Sequence, residues 1–153
     1  MCRGEKTKMA LDDLYVFIEK GTPDGHEERF RDAANEYVNV RAGEVIIKII
    51  QLPHPVFTRD KENLKMDMEI SLRQALLGFE FEIEHLDGHK VTLSKPAGQI
   101  TQPGETQRIV GEGMPKYGMP SDYGDLLVTY KVRNPEKLDG GQRAMLAQVF
   151  QNK

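Results

Sequence analysis

Residues 81–93 read FEIEHLDGHKVTL, with His85 and His89 four positions apart. On a helix that spacing puts both imidazoles on one face and begins a metal site. On paired strands it marks a turn instead, and the surrounding period decides between the two. Phe79, Phe81 and Ile83 alternate with Glu80, Glu82 and Glu84, the pattern of a strand with one buried and one wet face. Asp87-Gly88 between two alternating runs is a hairpin signal. A hairpin places the rings on different strands, where they can still approach across the turn. A third ligand would have to come from His26, from His54 or from a carboxylate, and neither histidine is near in sequence. The stretch therefore reads as strand, turn and strand with surface histidines, and no metal is expected at it.

The same period runs outward. In LKMDMEISL, Leu64, Met66, Met68, Ile70 and Leu72 face one way and Lys65, Asp67, Glu69 and Ser71 the other. Between the two alternating strands, SLRQALLG predicts a helix of about two turns, with Ser71 as N-cap and Gly78 as stop. LYVFI (14–18) and VIIKII (45–50) are apolar on both sides. They are expected to be strands covered on both faces, or strands that offer one face to a ligand. QRAMLAQVF carries Met145, Leu146, Val149 and Phe150 at helical spacing after the Gly140-Gly141 break, an amphipathic helix. The fold class is all-β with a short internal helix and a C-terminal one.

An internal repeat organises these pieces. TPDGHEERF leads after a polar loop to GEVIIKI, and TQPGETQRI leads to GDLLVTYKV. Pro23 to Gly43 spans 20 positions and Pro103 to Gly124 spans 21. Two copies of one β-rich subdomain account for this. The strand, helix and hairpin that precede the second copy would, for the first, lie before Met1. The first subdomain is accordingly expected to be truncated.

Composition narrows the function. Of 153 residues, 29% are charged and the formal net charge is -3, against the clustered cations that nucleic acid requires. VIIKII is the longest apolar run and Lys48 breaks it, so no membrane span is expected. The single cysteine, Cys2, excludes an internal disulfide framework and a zinc site of several thiolates. GEGMPKYG lacks the Gly-Lys-Ser/Thr of a phosphate loop. No Gly-x-Ser-x-Gly elbow occurs, and Glu80, Glu82 and Glu84 read as a solvated face. A β-sandwich hydrolase using the histidines and this acidic strand is the rival from another class, and it lacks a readable nucleophile–base pair. What remains is apolar surface: Leu14, Val16 and Ile18 on one face, and Val45, Ile47 and Ile49 on another. Such faces are core, or a groove in which an extended peptide adds to a strand edge; composition does not choose.

Several stretches together resemble one family. CRGEK (2–6), IEKGTPDGHEERF (18–30), LPHPVFTRDKENL (52–64), ISLRQALLGFEFEIEHLDGH (70–89), GEGMP (111–115) and GDLLVTYKV (124–132) look like the C-terminal substrate-binding region of DnaJ-type J-domain co-chaperones. GFEFEIEHLDGHKV looks most like the endoplasmic-reticulum luminal branch, with a cytoplasmic location as the alternative. The resemblance implies a partial subdomain I over 5–57, a subdomain II over 58–133 and a dimerisation segment over 134–153. It implies unfolded polypeptides as clients, a homodimer, and a 70 kDa heat-shock chaperone engaged through a J domain whose His-Pro-Asp motif this sequence lacks. Leu14, Val16 and Ile47 match positions of the family's client groove. Leu146, Val149 and Phe150 match its dimerisation segment. The strand that would complete the groove precedes the family's cysteine-rich module and is missing, so a pairing module without client binding is the alternative. Cys2 looks like one orphaned zinc ligand of that module, and no cofactor is expected in this chain.

Overall fold

Where the sequence alternates with period two, strands form. The computed structural model describes residues 11–37 and 39–151; Cys2 lies outside them. In chain order the elements are β1 (Glu27–Phe30), β2 (Val45–Lys48), β3 (Thr58–Asp60), β4 (Asn63–Ser71), α1 (Leu72–Leu77), β5 (Phe79–Glu84), β6 (Lys90–Lys95), β7 (Thr106–Ile109), β8 (Pro115–Lys116), β9 (Met119–Tyr123), β10 (Leu126–Arg133) and α2 (Gly140–Phe150). The chain is thus mostly β-strand in several sheets with two short helices, as expected. It divides into two units. The first takes the chain up to Leu64 together with Val110–Asp125, and the second takes Lys65–Ile109 and everything from Leu126 onward. Residues 110–125, placed by the sequence reading inside subdomain II, group with the first.

In the first unit β1 and β2 form a two-stranded antiparallel sheet in which Glu27 faces Lys48 and Phe30 faces Val45. Ile49 N–H to His26 O at 2.8 Å and Gly25 N–H to Ile49 O at 2.9 Å carry the pairing past the strand ends. Arg59 on β3 ties the turn before β1 in place, donating to Gly21 O at 2.7 Å and Thr22 O at 2.8 Å. The glycine-rich GEGMP is a backbone junction. Met114 N–H donates to Glu62 O at 2.8 Å, and Gly113 N–H donates to Gly124 O at 2.9 Å. A Cβ on Gly124 would sit 2.1 Å from Glu62 O, so only glycine lets three backbone segments approach this closely.

One expectation fails here. LYVFI is not a strand; residues 11–19 are irregular, and neither it nor β2 is covered on both faces. A lone extended segment leaves its N–H and C=O groups unpaired, and among the described residues no strand pairs with this one.

The second unit holds most of the core. β10 lies between β4 and β7, with Leu126 facing Ile109 and Thr129 facing Thr106. β4 buries Met66 and Ile70, β6 buries Val91 and Leu93, and β10 buries Leu126, Val128 and Tyr130. Each large apolar side chain removed from water contributes about 1.5–3 kcal/mol. Phe79 meets the edge of Tyr130 at 5.1 Å between ring centres, and the Tyr130 hydroxyl donates to Gln107 Oε1 at 2.6 Å. Burial pushes that phenol up to about 12. The Lys95 ammonium, 2.8 Å away, holds Glu105 below the usual carboxylate range, helped by the Gln102 N–H.

Both helices start on a capping box. Ser71 accepts from Gln74 N–H at 3.3 Å while Gln74 Oε1 accepts from Ser71 N–H at 2.9 Å, as the sequence suggests. At α2 the cap is Asp139, accepting from Gln142 N–H at 2.7 Å, and Gln142 Oε1 returns to Asp139 N–H at 3.0 Å. The helix therefore begins at Gly140, and the two glycines form its first turn instead of a break before it. The carboxylate offsets the poor helix propensity of that pair.

Candidate functional site

The groove residues of the sequence reading fall on two different segments. Ile47 lies on β2 opposite Glu28 and is half-buried. Strand alternation puts Val45 and Ile49 on its face, also half-buried, while Ile46 and Ile50 on the other face are exposed. Val16 is half-buried and Leu14 is 41% exposed within the irregular stretch. Around them Leu11, Tyr15, Phe17 and Ile18 are all exposed. Among the described residues no strand ladder brings Leu14 and Val16 alongside Ile47. Each of the two segments leaves apolar side chains in water within the first unit, chemistry suited to other apolar side chains.

The terminal helix is similarly uncovered. Leu146 is half-buried, whereas Met145, Val149 and Phe150 are exposed, and α2 buries no residue fully. No helix among the described residues is long and apolar enough to cross a membrane.

The hairpin that frames the histidines turns through one residue more than the two of Asp87-Gly88. β5 and β6 pair from Phe79–Lys95 to Glu84–Lys90, and His85 N–H donates to His89 O at 2.8 Å. Gly88 N–H returns to His85 O at 2.9 Å, with Gly88 at φ 87°. This is a three-residue loop with a left-handed glycine. His85 is not a surface histidine: its side chain is 8% exposed, against 43% for His89. Alternation carries it onto the face of Phe81 and Ile83, a consequence the strand period could have revealed. Hydrogen bonds from the ring and the N–H of His89 hold the Asp87 carboxyl below its usual range. The exposed Glu82 pairs with Lys90 at 2.8 Å, which fits a solvated acidic face.

A family model described as the DnaJ C terminal domain matches residues 3–135. The chain belongs to that family. This DnaJ C-terminal chain is 38% identical over 124 residues to "DnaJ homolog shv" of Drosophila melanogaster, covering 81% of the chain and 34% of that protein. It is 36% identical over 123 residues to "DnaJ homolog subfamily A member 2" of Homo sapiens, covering 80% of the chain and 30% of that protein. It is 37% identical over 149 residues to "DnaJ protein ERDJ3B" of Oryza sativa subsp. japonica, covering 97% of the chain and 42% of that protein. The chain thus spans about a third of the length of the relatives it matches. A structural zinc of a cysteine-rich module does not fit the residues present, because Cys2 is the single cysteine of the sequence.

Proposed function

We propose that this chain is the client-holding and pairing region of a J-domain co-chaperone and performs no catalysis of its own. The observation that carries this reading is apolar side chains left in water within a DnaJ C-terminal domain: Leu14, Tyr15, Phe17 and Ile18 before β1, and the half-buried face of β2 around Ile47. An unfolded polypeptide would set its own apolar side chains against Leu14, Val16 and Ile47. Backbone pairing along β2 would add to that contact, since β2 has a single neighbour among the described residues. The whole protein would pass clients to a 70 kDa heat-shock chaperone through a J domain. Pairing of two chains through Leu146, Val149 and Phe150 would give a dimer whose two weak arms act together by raising effective concentration. The endoplasmic-reticulum branch is kept for the chain's likeness to the rice relative named ERDJ3B. The human subfamily A relative keeps the cytoplasm as the alternative.

Ile47→Asp in the full-length protein is expected to weaken suppression of client aggregation while leaving the circular dichroism spectrum unchanged. A folded Ile47→Asp protein with undiminished suppression would remove the groove assignment. The bare α2 face favours a second reading, a pairing module without client binding. Light scattering on the chain distinguishes the two when combined with the aggregation assay: a dimer that protects no client supports the second.

A further inference from the structure

Neither His26 nor His54 is near His85 and His89 in sequence, so a third metal donor at FEIEHLDGHKVTL has to come from a carboxylate. The hairpin supplies one from its own turn. Asp87 Oδ1 accepts the backbone N–H of His89 at 3.2 Å, and this bond turns the carboxylate back over the strand ends. Its oxygen then lies 3.5 Å from His85 Nδ1 and in hydrogen-bond contact with His89 Nδ1. The two rings stack at 4.7 Å between centres, tilted by 31°. One ligand atom from each of the three side chains falls within 4.8 Å of the others.

From this arrangement the geometry points to a site for a first-row divalent transition ion, Zn2+ foremost, held by His85, Asp87 and His89. Tetrahedral zinc keeps its nitrogen and oxygen donors about 2.0–2.2 Å away, so neighbouring donors stand roughly 3.3 Å apart. The His85–Asp87 spacing of 3.5 Å meets this already, and a small rotation of the exposed His89 ring would widen its contact with Asp87 while keeping His85 within reach. Burial of the His85 side chain and the hairpin ladder order two of the three donors before any ion arrives. All three lie within five consecutive residues, so little loop-closure entropy remains to be lost. Imidazole nitrogens with one carboxylate suit zinc, copper or nickel over calcium or magnesium, which take oxygen donors. A fourth position would be left to water. The inference does not depend on the client-binding reading.

Calorimetric titration of the metal-stripped chain with zinc chloride tests this, on a Cys2→Ser background that removes the thiol. One saturable site is expected. Asp87→Asn and His89→Ala should each weaken it by about tenfold or more, while His26→Ala and His54→Ala leave it unchanged. Asp87 and His89 side chains are 69% and 43% exposed, so both variants should fold, with circular dichroism as the check. Cobalt in place of zinc should give the visible absorption of a tetrahedral site, lost in Asp87→Asn. Binding that survives both hairpin substitutions, or a titration with no saturable site, overturns the assignment.

Discussion

The two copies of the repeat make the same ladder and use it differently. In the first, β1 and β2 pair over four residues; in the second, β7 and β10 pair over four residues, and in each the first strand follows a Thr-Pro or Thr-x-Pro turn and a longer segment leads to the second. Beyond that the copies part. β10 has a neighbour on each side, and its Leu126, Val128 and Tyr130 are 0% exposed. β2 has one neighbour among the described residues, and Val45 and Ile47 are only half-buried. One sequence pattern thus yields a core strand where β4, α1 and the β5–β6 hairpin are present, and an open face where no described strand covers it. The apolar residues of β2 stay partly open to water, and under the proposed function they are the ones a client would meet.

Core truncation should separate the copies most sharply. Leu126→Ala is expected to cost about 2–5 kcal/mol, the range for a fully buried leucine. Ile47→Ala, at a half-buried site, should cost less than half as much. Urea denaturation of the two variants reads the difference, and equal losses would mean that β2 is as much core as β10.

The loop glycines that open the second strand of each copy give the next largest contrast. Gly124→Ala would push a Cβ to 2.1 Å from the Glu62 carbonyl oxygen, whereas at Gly43 the nearest atom is Ala34 Cβ at 3.5 Å. Forcing the backbone junction apart should cost about 1–3 kcal/mol. Gly43→Ala should be neutral, or stabilising by about 0.4–1 kcal/mol through the unfolded chain. Thermal denaturation of both variants checks the pair, and a neutral Gly124→Ala would refute the close-approach account.

This pair also shows how far residues announce their structure. Alternation was readable in β4 and β5 because each side chain there faces either the core side or water, and the Ser71 cap was readable because a serine directly precedes the helical run, though its return bond from Gln74 was not named. The equivalence of Gly43 and Gly124 was readable too, but not their difference, since the demand on Gly124 comes from Glu62, far away in sequence. For the same reason LYVFI looked like a strand: five apolar residues indicate burial or binding, and only pairing decides whether they form a ladder. Asp139 was overlooked because two glycines suggested a break, although an acidic residue three before a glutamine is the other form of the capping box. The groove residues came from family resemblance. The hairpin donors were all visible in the sequence, but the direction in which the turn aims Asp87 was not.

The α1 cap, which has no described counterpart before the first copy, should have a smaller effect. Ser71→Ala removes the acceptor for Gln74 N–H and is expected to cost about 1 kcal/mol. Ser71→Asp should retain most of that stability, and a Ser71→Ala chain with an unchanged denaturation midpoint would show that packing of Ala75, not the cap, holds the helix.

The smallest effect near neutral pH concerns Tyr130, the buried phenol of the second copy. Its acidity is weakened from about 10 in the unfolded chain to about 12 when folded, first by burial and then by the Glu105 charge. The folded state therefore retains a proton that the unfolded state releases, and stability falls as pH rises through that window. Below pH 10 the contribution is complete and invisible. Above it, the denaturation midpoint should drop progressively, and Tyr130→Phe should flatten the drop while starting lower for want of the bond to Gln107. If Tyr130→Phe and the parent chain lose stability in parallel from pH 10 to 12, the alkaline transition belongs to some group other than the one that β10 buries.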